Sequence, residues 1–127
     1  MKYYIISGEP SGDIYGSRLI NEIKKSESGA NIRFWGGDLM KESGGTLVRH
    51  YKDLAFMGFF EVLTNIFKIL KNFSLCKNDI IKFNPDKIIF IDYPGFNLRI
   101  AKWAKKKKFK NFYYIIQQVW AWKVKRV

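Results

Sequence analysis

The chain has 127 residues, with 23 Lys or Arg against 11 Asp or Glu and a formal net charge of +12. That length suits one domain with its own core rather than two, and 47% apolar with 17% aromatic residues excludes a disordered chain. The charge calls for an anionic partner, whether nucleic acid, a phosphorylated small molecule or a membrane surface; the lone cysteine, Cys76, excludes an internal disulfide and fits a reducing, cytoplasmic compartment.

The apolar run Tyr3-Tyr4-Ile5-Ile6 predicts a buried first strand. It stops at Gly8, far short of a cleavable leader, and no run approaches the ~20 apolar residues that cross a bilayer. A soluble or peripheral protein is expected. The turn Ser7-Gly8-Glu9-Pro10-Ser11-Gly12-Asp13 follows, and Tyr15, Leu19 and Ile23, spaced by four, predict a helix over 12–25. A short strand over 31–35 ends at Gly36-Gly37. A long helix is expected over 60–83, then a nearly continuous apolar strand over 87–91 closed by Asp92 and Pro94, a helix over 97–107 and a last strand over 112–116. Strands apolar on both faces belong to a parallel sheet covered by helices on both sides. The alternation predicts an α/β, Rossmann-like doubly wound sheet.

On a helical wheel of ~100° per residue, Phe60, Val62, Leu63, Ile66, Phe67, Ile69, Leu70 and Phe73 occupy one half of the circumference. Glu61, Thr64, Asn65, Lys68, Lys71 and Asn72 occupy the other. An arc of ~180° exceeds the ~100° stripe that one core contact uses. Two readings fit: a helix packed between two neighbours, or an interfacial helix facing lipid.

Three segments carry candidate chemistry. In the first turn, Gly8 and Gly12 permit close backbone approach, Ser11 is a candidate N-cap, and the helix amides suit an anion or a sugar hydroxyl. The turn lacks the Gly-Lys-Ser/Thr ending of a P-loop and is not G-x-G-x-x-G. Glu9 and Asp13 would repel a phosphate and favour a ligand with hydroxyls, the plain alternative being a capped turn with two solvated acids. The second segment is Asp92-Tyr93-Pro94-Gly95-Phe96-Asn97. An acid at the end of a central strand faces the same crevice, where it could serve as a general base for a sugar hydroxyl; Asp92 or Asn97 as a mere helix cap is the alternative. The third is Val119-Trp120-Ala121-Trp122, either core or a stacking surface. His50, the only histidine, sits in no metal-ligand spacing and is expected as a surface or loop residue rather than a ligand. Lys105 to Lys108, with Lys102 and Lys110, read as a solvated helix end. Nucleic acid is disfavoured because the aromatics fall in core patterns.

Ser-Gly-Glu-x-Ser-Gly-Asp, Leu54-Ala55-Phe56-Met57-Gly58-Phe59-Phe60-Glu61-Val62-Leu63, Ile91-Asp92-Tyr93-Pro94-Gly95-Phe96-Asn97 and Val119-Trp120-Ala121-Trp122, in this order, resemble the lipid-A-disaccharide synthases, GT-B glycosyltransferases of family 19. The likeness covers essentially the whole chain. It implies an inverting enzyme without metal or cofactor that joins UDP-2,3-diacylglucosamine to 2,3-diacylglucosamine 1-phosphate (lipid X), releasing UDP. Asp92 then matches the general base acting on the acceptor's 6-hydroxyl, and Glu9 and Asp13 the acidic pair near the reacting centre. Ser7, Gly8, Ser11, Gly12, Asn97 and Met57 fall to substrate binding, and Phe56, Phe59, Phe60, Leu63, Phe67 and Leu70 to acyl-chain or membrane contact on an anionic inner leaflet. The family usually has Ser-Pro where this chain has Ile116 and Gln117. Its members run to about three times this length, so residues 1–127 correspond to the N-terminal, acceptor-side half of a GT-B fold without the UDP-binding half. Such a piece alone should not turn over. The alternative is a non-catalytic, basic lipid-binding α/β module.

Overall fold

A computed structural model describes residues 1–54 and 66–114. Strand β1 (Lys2–Ser7) is apolar at successive positions because both of its faces are covered, and Tyr3 to Ser7 are all buried. It leads through Gly8 and Glu9 into α1 (Pro10–Ser26). There follow β2 (Asn31–Gly36), the short α2 (Asp38–Ser43), β3 (Thr46–His50) and a 3-10 turn (Tyr51–Leu54). Then come α3 (Ile66–Phe83), β4 (Lys87–Ile91), α4 (Pro94–Lys106) and β5 (Asn111–Tyr114). The five strands form one parallel sheet in the order β3-β2-β1-β4-β5.

Alternation along the strands divides the core into two layers. Tyr4, Ile6, Trp35, Ile88 and Phe90 face α3 and α4, where they meet Cys76, Ile80, Phe96, Ile100 and Ala104. Tyr3, Ile5, Ile32, Phe34 and Ile91 face α1 and α2, against Ile20 and Met40. Fully burying one such aliphatic side chain contributes ~1.5–3 kcal/mol. A polar chain fixes α3 to the sheet: Trp35 Nε1 donates to the Tyr4 hydroxyl (2.8 Å), which donates to Asp79 Oδ2 (2.8 Å). Arg33 holds the same carboxylate with Nε at 3.0 Å and Nη2 at 2.6 Å. Burial, reinforced by the nearby Cys76 and Asp79, pushes the Tyr4 phenol far above its ordinary range.

The chain steps outward from β1 to β2 and β3, then returns to place β4 on the other side of β1. The carboxyl ends of β1 and β4 therefore flank the switch point of a doubly wound sheet, where such folds bind ligands.

Several expectations need correcting. Helix α1 opens at Pro10 and α4 at Pro94, earlier than the periodicity indicates, because proline lacks an N–H and its fixed φ suits the first helical position. Glu9, not Ser11, is the N-cap of α1, and it caps without a side-chain hydrogen bond; Ser11 lies exposed inside the first turn. His50 ends the partly exposed edge strand β3. The sequence reading misses α2 and β3. With six residues α2 has too few turns to show a period, and β3 is a half-buried edge that carries Arg49 and His50. On α3 the inward stripe is Asn72, Cys76 and Ile80, so Asn72, placed on the polar arc by the wheel, is buried. Phe67 is 82% exposed and Leu70 54%.

Candidate active site

Ser7 pairs with Ile91 in the parallel register of β1 and β4, so the two predicted turns leave the sheet side by side. Ser7 is fully buried, and its hydroxyl donates weakly to the Glu9 carbonyl (3.5 Å). The glycines allow close contacts. A Cβ at Gly8 would strike the Tyr93 ring, and one at Gly12 would strike the Ser7 hydroxyl. Gly8 thus permits contact between the β1 and β4 turns, and Gly12 leaves room for the Ser7 hydroxyl within the first turn.

Glu9 is exposed at the entrance of α1. Tyr93 is raised above the ordinary tyrosine range, first by burial and then by the charge of Glu9, which places that carboxylate within electrostatic reach of the phenol. The Tyr93 ring stacks on Phe96, with centroids 5.6 Å apart, and its hydroxyl donates to the Leu54 carbonyl at 3.5 Å.

Asp13 is 4% exposed, and three backbone amides take up its carboxylate. Oδ1 accepts from Gly37 N (2.8 Å) and Met40 N (3.1 Å), and Oδ2 from Leu39 N (3.1 Å). It therefore caps α2 from a distance, a charge well matched to the helix start. A Cβ at Gly37 would lie 2.6 Å from Asp13 Oδ2, so glycine is required there. Beside this cap, His50 Nδ1 accepts from Lys52 N (3.2 Å), which leaves the proton on Nε2 to meet Asp38 Oδ1 at 3.1 Å. Among the described residues no three His, Cys, Asp or Glu gather as a metal site.

Asp92 is half-buried at the end of β4 and, with Tyr93, adopts a left-handed backbone (φ 44° and 53°). Asn97 is fully buried in the first turn of α4 and does not cap it; Tyr93 is the N-cap. Its Nδ2 faces three carbonyls at the strand ends, Ile6 (3.2 Å), Ile91 (3.3 Å) and Asp92 (2.7 Å), so that one of its two hydrogens is shared. All three neighbours are acceptors, which fixes the amide orientation.

The site thus brings together Ser7, Gly8, Glu9, Gly12, Asp92 and Asn97, with Asp13 one strand further out beneath α2. Tyr93, between the turns, was not singled out by sequence, where an aromatic after a strand looks like ordinary core. Met57, Phe56, Phe59, Phe60, Leu63, the Trp120–Trp122 pair, Ile116 and Gln117 lie outside the described residues. Phe67 and Leu70 are surface residues of α3.

The family model described as lipid-A-disaccharide synthetase matches residues 3–127. Lipid-A-disaccharide synthase of Coxiella burnetii is 39% identical over 123 residues, covering 97% of this chain and 33% of the relative. That of Trichlorobacter lovleyi is 41% identical over 123 residues, covering 97% and 32%. That of Chlamydia pneumoniae is 35% identical over 127 residues, covering 97% and 21%. The chain spans about a third or less of the length of these curated relatives. The match runs through both turns at the switch point, and the chain belongs to the lipid-A-disaccharide synthetase family.

Proposed function

We propose that this chain forms the acceptor-side half of a two-domain, inverting glycosyltransferase of lipid A biosynthesis. The substrates are UDP-2,3-diacylglucosamine and 2,3-diacylglucosamine 1-phosphate. The observation that carries the proposal is the meeting of an acidic, glycine-permitted turn with the Asp92 turn at the switch point, in a chain of this family.

In this reading the Asp92 carboxylate removes the proton of the acceptor's 6-hydroxyl as that oxygen attacks the anomeric carbon of the donor. The new carbon–oxygen bond forms on the face opposite the departing UDP, whose phosphate oxygen takes the bonding pair. General-base help of this kind is worth roughly 10²–10⁴-fold. Glu9, exposed and beside Tyr93, supplies a second acceptor for sugar hydroxyls, with Ser11 on the same helix turn. Asp13 shapes the cleft by holding α2. No cofactor enters, because the UDP-sugar is a substrate.

The protein works at the cytoplasmic face of an anionic membrane as a peripheral enzyme. Support comes from the net charge of +12 and from the exposure of Phe67 and Leu70, apolar groups edged by Lys68 and Lys71. Among the described residues no helix is long and apolar enough to cross a membrane. The test is product analysis with full-length protein carrying these residues. Incubation with both lipids should yield disaccharide 1-phosphate and UDP in equal amounts, and neither when the acceptor is omitted. UDP formation that is independent of acceptor would contradict the reading.

A further inference from the structure

Resting on that reading, we infer that Tyr113 and Asn97 are positioning residues that clasp the Asp92 carbonyl and so hold the Asp92 side chain in place for its work as a base. The Tyr113 hydroxyl donates to the Asp92 carbonyl oxygen at 2.8 Å, and Asn97 Nδ2 donates to the same oxygen at 2.7 Å. The two donors come from different elements, β5 and α4. A third bond, from Asp92 N to the Tyr114 carbonyl (2.9 Å), ties the same residue to the end of β5.

The clasp has something to restrain. Asp92 and Tyr93 are consecutive non-glycine residues at positive φ, a conformation that L-residues rarely adopt and that persists only where its surroundings over-determine it. An ordinary strand-to-helix turn would use glycine at such a position, and this chain instead has an acid followed by an aromatic. Released, the turn would relax toward extended or helical backbone and swing the carboxylate.

Asn97 shows the same priority. Its Nδ2 serves three carbonyls, while its buried Oδ1 finds no partner among the described residues. A side chain selected only for packing would avoid that cost. One selected to gather the carboxyl ends of β1 and β4 around the Asp92 turn accepts it. Tyr113 is fitted to its role as well. Its ring stacks on Phe90 with centroids 5.9 Å apart, which aims the hydroxyl, and burial followed by the Asp92 charge keeps the phenol protonated as a donor.

The decisive variant is Tyr113→Phe in a full-length synthase carrying these residues, since it keeps the ring stack and removes only the hydroxyl. Steady-state UDP release should show kcat lowered roughly two- to tenfold, the range expected for one such hydrogen bond, with KM for the acceptor unchanged. Asn97→Ser should lower kcat further. If both variants kept the parent kcat, or lost efficiency only through KM, the positioning role would be overturned. Asp92→Asn run alongside separates the two levels. If it is inactive while both clasp variants are unimpaired, the clasp alone fails; if it keeps full activity, the base assignment falls and the clasp with it.

Discussion

Asp13 and Asp92 show how two carboxylates near the carboxyl ends of the strands come to differ. Asp13 is buried and faces three amides at the start of α2, so its negative charge is satisfied by the backbone. Asp92 is half-buried at the end of β4, on a turn with two consecutive non-glycine residues at positive φ. Sequence spacing alone pairs Glu9 with Asp13 as equivalent acids; the fold separates them, since one points along the surface and the other inward. Asp13→Ala leaves buried donors unpaired and should cost about 2–3 kcal/mol. A lowered urea midpoint at unchanged slope checks this, and a change under 0.5 kcal/mol, well below the roughly 1 kcal/mol net worth of a typical hydrogen bond, would mean that water replaces the carboxylate. Gly8, Gly12, Glu9 and Asp92 were legible as a site because a structural turn has no need of such residues together. Tyr93 and Tyr113 were not, because their part depends on what lies across the sheet.

Among the elements, α3 departs furthest from its sequence pattern. Periodicity identifies a helix and an over-wide apolar arc but cannot say which part of the arc turns inward. The sheet decides: Asp79 is held by Arg33 and Tyr4, and Cys76 and Ile80 sit on Tyr4, Ile88 and their neighbours. That rotation buries Asn72 and leaves Phe67 and Leu70 outside. Phe67→Glu should therefore leave the circular dichroism spectrum and melting temperature unchanged while weakening co-sedimentation with vesicles of anionic phospholipid. Global unfolding by this substitution would return Phe67 to the core. The central strands were legible because burial on both faces makes them continuous apolar runs. The edge element β3 was not, because half-burial lets Arg49 and His50 into its sequence.

In the whole molecule, the parallel order with its switch point between β1 and β4 gives two distant sequence segments one place to meet. Fold class followed from the βα alternation; the strand order needed the structure, since alternation does not say where the chain turns back. The buried Tyr4 and the partly buried Tyr93 and Tyr113 also set a limit on stability. Tyr4, Tyr93 and Tyr113 are all held above the ordinary value of 10.0, in each case first by burial. The folded state keeps protons that the unfolded chain releases, so their contribution is complete below pH 10 and declines above it. Tyr4 alone lowers stability by about 1.4 kcal/mol per pH unit in that window. The buried Cys76 thiol, raised from 9.0 by burial, adds the same effect from about pH 9. Melting temperatures should therefore begin to fall at about pH 9 and fall more steeply above about pH 10, whereas a level profile through strongly alkaline pH would contradict the burial.

The most direct test of the catalytic account is UDP release by Asp92→Asn in a full-length synthase carrying these residues, with both lipid substrates saturating. The substitution keeps the size and one acceptor oxygen and removes the base. The account predicts a fall in kcat of roughly 10²–10⁴-fold with the fold intact. A kcat within twofold of the parent would show that the proton leaves by another route and that Asp92 is not the base.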